Sequence, residues 1–184
     1  MAIRKIARMG HPILREQARQ LTKEEILSPQ IQNLVLDMVD TMRDAAGIGL
    51  AAPQIYESLA IATLEFKADN ARYPDMGEQE LLVLFNPKVT VLDEKEQAFW
   101  EGCLSVPDLR GLVHRPRKIA VDYLDQEAKP QRIEAEGFLA TVFQHELDHL
   151  FGRLYIDLVR DTKNLSFLEE FRRYGNVKPA EEVD

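Results

Sequence analysis

The run Gln144-His145-Glu146-Leu147-Asp148-His149-Leu150 sits inside residues 137–151, where Phe138, Leu139, Val142, Phe143 and Leu150 recur at helical spacing as one buried stripe. Gly152 is placed to stop the helix. Two histidines four positions apart on a helix differ by about 40° in azimuth and about 6 Å in rise, so both imidazoles can reach one divalent ion from the same face. Glu146 falls beside that ion. This is the His-Glu-x-x-His spacing of metallohydrolases, in which the histidines bind the metal and the glutamate handles the proton of a metal-bound water. A helix both apolar and ligand-bearing predicts a fold built around it. The motif supplies only two ligands, and the residue that supplies the third decides the chemistry.

Outward from the helix, the sequence predicts mostly strands upstream. Residues 59–66 and 81–85 are short apolar runs that read as strands, with the polar segment 67–80 as the loop between them. Asn86-Pro87 ends the second, residues 88–92 alternate well enough for a third, and the acidic run Asp93-Glu94-Lys95-Glu96 reads as a solvated turn. Residues 118–124 and 131–135 read as a hairpin around 125–130. Ser28-Pro29 is a helix start, serine as N-cap and proline at the first helical position. Ile31, Leu34, Val35, Met38 and Met42 follow at helical spacing, and Gly47 is placed as the C-terminal cap. A last helix is expected over residues 161–174, with Leu165, Leu168 and Phe171 on one side. Residues 1–27 suggest no regular element; His11, between Gly10 and Pro12, reads as a turn residue, and His114 as a strand-edge residue. The predicted class is α+β: antiparallel sheets packed around a central metal-binding helix, with an N-terminal and a C-terminal helix.

A chain of 184 residues predicts one domain, taken as residues 1–175, followed by a flexible tail at 176–184. The net charge of -8 argues against a dominant phosphate-binding face, so no stable nucleic-acid partner is expected. No stretch approaches the ~18 apolar residues of a membrane span, and the basic residues near the N-terminus have no apolar run behind them to make a signal peptide. A single cysteine, Cys103, rules out an internal disulfide and fits a reducing compartment, so the expected location is cytoplasmic.

Three sources compete for the third ligand. The extended pattern His-Glu-x-x-His-x-x-Gly-x-x-His is followed as far as Gly152, but its last position is Tyr155. Glu169 and Glu170 lie downstream at a suitable distance, although paired glutamates on an amphipathic helix are usually solvated. Cys103 offers a thiolate, a strong ligand for a borderline-soft divalent ion, in a segment where the only cysteine and only tryptophan (Trp100) fall close together.

Gly47-Ile48-Gly49-Leu50-Ala51-Ala52-Pro53-Gln54, Glu101-Gly102-Cys103-Leu104-Ser105 and Gln144-His145-Glu146-Leu147-Asp148-His149, in that order, resemble the three motifs of the peptide deformylases. The resemblance covers nearly the whole chain. It implies a metallohydrolase that removes the formyl group from the N-terminal formylmethionine of new bacterial proteins, releasing formate. By position it implies Cys103, His145 and His149 as metal ligands, with a metal-bound water attacking the formyl carbon and Glu146 as general base and acid. It gives the oxyanion to the Gln54 side-chain amide and the backbone N–H of Leu104, and implies one divalent ion per chain, Fe2+ before Zn2+, Ni2+ or Co2+. Substrate contacts fall to Gly47, Ile48 and Gly49 along the peptide backbone, to Val142 with Leu104 and Ile48 around the methionine, and to Glu101 and Arg110. Asp148 is expected to support the site by pairing with Arg115. N-formylmethionyl peptides are the implied partners, with a transient ribosome contact by the last helix as a further expectation.

Overall fold

The structure is a computed structural model and describes residues 2–66 and 79–175. The 67–78 part of the expected loop and the expected tail at 176–184 lie outside the described residues. Helix α1 (Lys23–Ile26) is one capped turn: Thr22 accepts from the Glu25 N–H while the Glu25 carboxylate accepts from the Thr22 N–H. It lies in the N-terminal stretch where no element was expected. Helix α2 (Pro29–Asp44) begins as predicted, with Ser28 Oγ accepting from the Ile31 N–H at 3.4 Å. Its end differs from expectation. The left-handed residue is Ala46, at φ 50°, and Gly47 follows it, donating its N–H to the Met42 carbonyl at 2.9 Å while Ala46 donates to Arg43 at 3.1 Å. These are the two bonds of a Schellman motif, with Gly47 one position further out than a simple cap.

Strands β1 (Gly49–Ala51), β2 (Ile61–Phe66), β3 (Gln79–Cys103), β4 (Val106–Leu124) and β5 (Pro130–Glu136) lie side by side in that order, all antiparallel, and β6 (Leu165–Phe167) joins β4. The long β3 corrects two expectations. Asn86-Pro87 bends the strand without ending it, and Asp93–Glu96 is strand with slips of register, not a turn. Asn86 tolerates the kink because it is left-handed, at φ 50°, and its side-chain amide exchanges two hydrogen bonds with the Leu21 backbone, at 2.7 and 2.8 Å. Bulges of this kind let one strand turn a corner and serve two faces of a fold.

The β4–β5 hairpin then leads into α3 (Gly137–Asp148), the motif helix. Its stripe of Ala140, Val142, Phe143, Leu147 and Leu150 packs against Leu64, Leu84, Ile119 and Val121 from the sheet. A separate cluster packs the α2 stripe on Leu50, Ile61 and Phe85. The last expected helix is shorter than predicted. Residues 162–164 form a 3-10 turn, Leu165–Phe167 is strand paired with Leu109–Gly111, and only Leu168–Tyr174 is helix (α4). The edge of β4 at Leu109–Gly111 that faces away from β3 offers residues 165–167 three ladder positions that a helix could not use, and that tertiary pairing overrides the helical period.

Candidate metal centre

Cys103 is the last residue of β3, at the tight turn into β4. Its Sγ lies 3.3 Å from His149 Nε2, and the ligand atoms of Cys103, His145 and His149 all lie within 4.8 Å of one another. A tetrahedral ion with bonds near 2.0–2.3 Å needs ligand atoms about 3.5 Å apart, so the three side chains fit a single divalent ion. Both rival third ligands are engaged elsewhere. Glu169 is exposed and paired with Arg173 at 2.9 Å, and Tyr155 is buried with its ring stacked on His145 and its hydroxyl donating to the Leu109 carbonyl at 3.1 Å.

A carboxylate holds the outer nitrogen of His145. Nδ1 is 2.7 Å from Glu101 Oε2, and Arg115 donates to both oxygens of that carboxylate, from Nε at 2.6 Å and from Nη2 at 3.0 Å. The third arm of the guanidinium, Nη1, donates to Asp148 at 2.8 Å, so the expected pairing of Asp148 with Arg115 is present. Arg153 reaches the other Asp148 oxygen from the surface at 2.5 Å. With Nδ1–H given to Glu101, Nε2 keeps its lone pair for a metal. Burial alone would raise Glu101, but His145 and Arg115 hold its carboxyl below the ordinary range.

Burial would also raise the Cys103 thiol, but the His149 charge and hydrogen bonds to both histidines hold it well below its ordinary value. Burial works against charge on His145 too, yet its bonds to Cys103 and Glu101 raise it well above the ordinary imidazole value. The thiol is therefore ready as thiolate, the form that binds metals, and a bound ion would take the place of the extra proton on His145. Beside it, burial raises the Glu146 carboxyl, and Glu146 Oε2 has no hydrogen-bond partner among the described residues. A buried carboxylate oxygen without a partner costs free energy unless a reacting group uses it.

Two glycines make these approaches physically possible. A Cβ on Gly49 would fall 2.4 Å from Glu146 Cδ, and one on Gly102 would overlap the Arg110 guanidinium at 2.0 Å. Gln54 lies in the 3-10 turn Ala52–Ile55, buried, with Oε1 accepting the Ala51 N–H at 2.8 Å. That bond fixes which way the amide faces. Its Nε2 points at Cys103 Sγ, 3.5 Å away, and donates to Ser105 Oγ at 3.1 Å.

A cleft of about 340 Å³ opens here, with Ile48, Leu104, Phe138 and Val142 on its apolar side and Glu146 and Gln54 on its polar side. Every site residue expected from the sequence lines it except His149, which is fully buried. Glu101 and Arg110 are both buried. Ser105 and the grip of Arg115 on Glu101 were not foreseen. The first is two positions from Cys103 within the same motif; the second depends on a cross-strand register that spacing does not reveal.

The family model of polypeptide deformylases matches residues 3–165 of this chain. A peptide deformylase of Leptospira biflexa is 41% identical over 177 residues, covering 96% of this chain and 99% of the relative. One from Rhizobium meliloti is 38% identical over 183 residues, the full length of both. Among solved structures, a class I type b peptide deformylase from Acinetobacter baumannii with Met-Ala-Ser bound superposes with a TM-score of 0.82 at 34% identity, over 86% of this chain and 99% of that one. A peptide deformylase from Legionella pneumophila gives 0.75 at 36% identity, over 97% and 100%.

Proposed function

This chain belongs to the polypeptide deformylase family, and from that premise we propose that it hydrolyses the formyl amide of N-formylmethionyl peptides through Cys103, His145, His149, Glu146 and Gln54. Family membership makes it a metallohydrolase that acts on formylated nascent peptides. The observation that carries the residue assignment is the unpartnered Glu146 oxygen beside three ligand atoms that lie within 4.8 Å of one another.

A divalent ion held by Cys103, His145 and His149 supplies Lewis acidity and makes water a nucleophile near neutral pH. The chain's own residues do the rest. Glu146 accepts the proton of the attacking water at its free oxygen and returns it to the leaving amine, a role suited to a carboxyl whose proton affinity burial has raised. The charge that develops on the formyl oxygen is met by Gln54 Nε2 and the Leu104 backbone N–H. Both donors are neutral and held in place before the reaction, so they cost no reorganisation. The apolar wall of Ile48, Leu104 and Val142 takes the methionine side chain. Strand β1 is terminal in the sheet order, which leaves Gly47, Ile48 and Gly49 to pair with an extended peptide. The Acinetobacter structure holds Met-Ala-Ser, a peptide that begins with methionine.

Ferrous iron is the ion we assign first, with zinc, nickel and cobalt compatible with the same ligands. No helix among the described residues is long and apolar enough to cross a membrane; the bacterial cytoplasm, where formylated chains are made, is the proposed place of action. Formate release from formyl-Met-Ala tests the reading. The expected result is stoichiometric formate with no cleavage of the unformylated peptide; peptide-bond cleavage without formate would overturn it.

A further inference from the structure

Residues 2–9 form no helix or strand, yet the segment is tied along its length. Ala2 donates its N–H to Asp37 at 2.7 Å and Arg4 to Thr41 Oγ1 at 2.9 Å, fixing its start to α2. Further on, the Ala7 N–H donates to the Gln54 carbonyl at 2.7 Å and the Met9 N–H to the Ser105 carbonyl at 2.8 Å. Those carbonyls belong to different turns, and their own side chains are already joined by the Gln54–Ser105 hydrogen bond at 3.1 Å. The arm therefore closes a ring: Ala7, Gln54, Ser105, Met9. Ala7 is wholly buried, packed in the cluster that contains Cys103, Val106 and Tyr155.

Both turns need outside support. Gln54 lies in a four-residue 3-10 turn that ends at Tyr56 in the left-handed region, at φ 68°. Ser105 lies in the turn between β3 and β4, beyond a slip in register between Glu101 and Cys103. Neither has a long ladder of its own, and an error of about 1 Å in the position of a catalytic group can cost ~100-fold in rate.

We propose that the N-terminal arm is a brace, and that the main-chain N–H groups of Ala7 and Met9 are positioning groups that set Gln54 against the Cys103–Ser105 turn. The inference rests on the deformylase reading above. Ala7→Pro removes one of the two bonds, because proline has no N–H. In the nickel-loaded protein, with formyl-Met-Ala-Ser as substrate, kcat is expected to fall about 10- to 100-fold, with KM and metal content within about twofold. Placed in a Gln54→Ala background, the same change is expected to cost less than about threefold, because the donor it positions is gone. Equal losses in the two backgrounds, or no loss in either, overturn the brace. If Ala7→Pro fails to fold, an ester in place of the residue 7 amide removes the N–H with the shape kept, and the same comparison decides. An unmodified chain that releases no formate refutes the deformylase reading and the brace with it; an active chain with additive losses refutes the brace alone.

Discussion

Cys103→Ala removes the one ligand that comes from outside the run Gln144–Leu150, and bound metal, measured by elemental analysis after dialysis, is expected to drop to near zero. Glu169→Ala is expected to keep its full complement, since that carboxylate only pairs with Arg173. Gln54→Ala should lower kcat by about 100- to 1,000-fold with KM little changed, the usual loss for one oxyanion donor. Arg115→Met would leave buried Glu101 with His145 alone and Asp148 with Arg153 alone, a loss of about 3–5 kcal/mol in urea unfolding. The pH sign follows from Glu101. Its folded value lies below its unfolded one, so the stability it contributes is complete above the unfolded value and is lost as pH falls through the folded one. Glu101→Gln is expected to flatten that acid-side loss; an unchanged profile would remove Glu101 from the account. These residues were unequally legible. His145, Glu146 and His149 announce themselves by local spacing, but Cys103 is 46 positions from His149 and needed the family motif to be chosen over Glu169.

At the scale of elements, helix α3 stops at Asp148, earlier than the expected stop at Gly152, and the turn that follows it closes at Gly152, left-handed at φ 69°, with the Arg15 carbonyl 2.5 Å from where a Cβ would stand. Gly152→Ala therefore strains the backbone and pushes away the N-terminal segment that pairs Gln17 with Phe151 and Ala18 with Leu150. A drop of at least ~1 kcal/mol is expected in denaturant midpoint measurements, large for one methyl group. The two long helices could be read from sequence because their 3.6-residue period is a local property. The course of β3 could not. Asn86-Pro87 and Asp93–Glu96 carry turn chemistry, and bonds to the Leu21 backbone and the facing strand carry β3 through them. Leu165–Phe167 shows the same limit, since its partner is some fifty residues upstream at Leu109–Gly111.

At the scale of the whole molecule, the end of β3 and the end of α3 meet at the Cys103–His145–His149 cluster. Among the described residues the core forms three apolar clusters, and Cys103 itself belongs to one of them. Metal binding should accordingly stabilise the entire fold. At free metal a thousandfold above its Kd, about 4 kcal/mol of extra stability is expected, and chelation should lower the melting temperature of the whole domain in one transition. An iron-thiolate centre should also lose activity in air, and nickel-substituted protein should keep it; equal air stability of the two would count against iron.

The pairing of Cys103 with Val106 and Glu101 with Gly111 also governs which changes of length this lineage can absorb. One residue inserted within β4 between Gly111 and Arg115, if it slipped the pairing by one, would turn the Arg115 side chain to the opposite face and away from Glu101. Changes of length between Glu101 and Arg115 are therefore expected to be rejected, whereas the slips of register at Val91–Glu96 show where the same hairpin absorbs an extra residue. The turn at residues 125–129, which holds no site residue, is where such length variation should be found across descendants of the same ancestor.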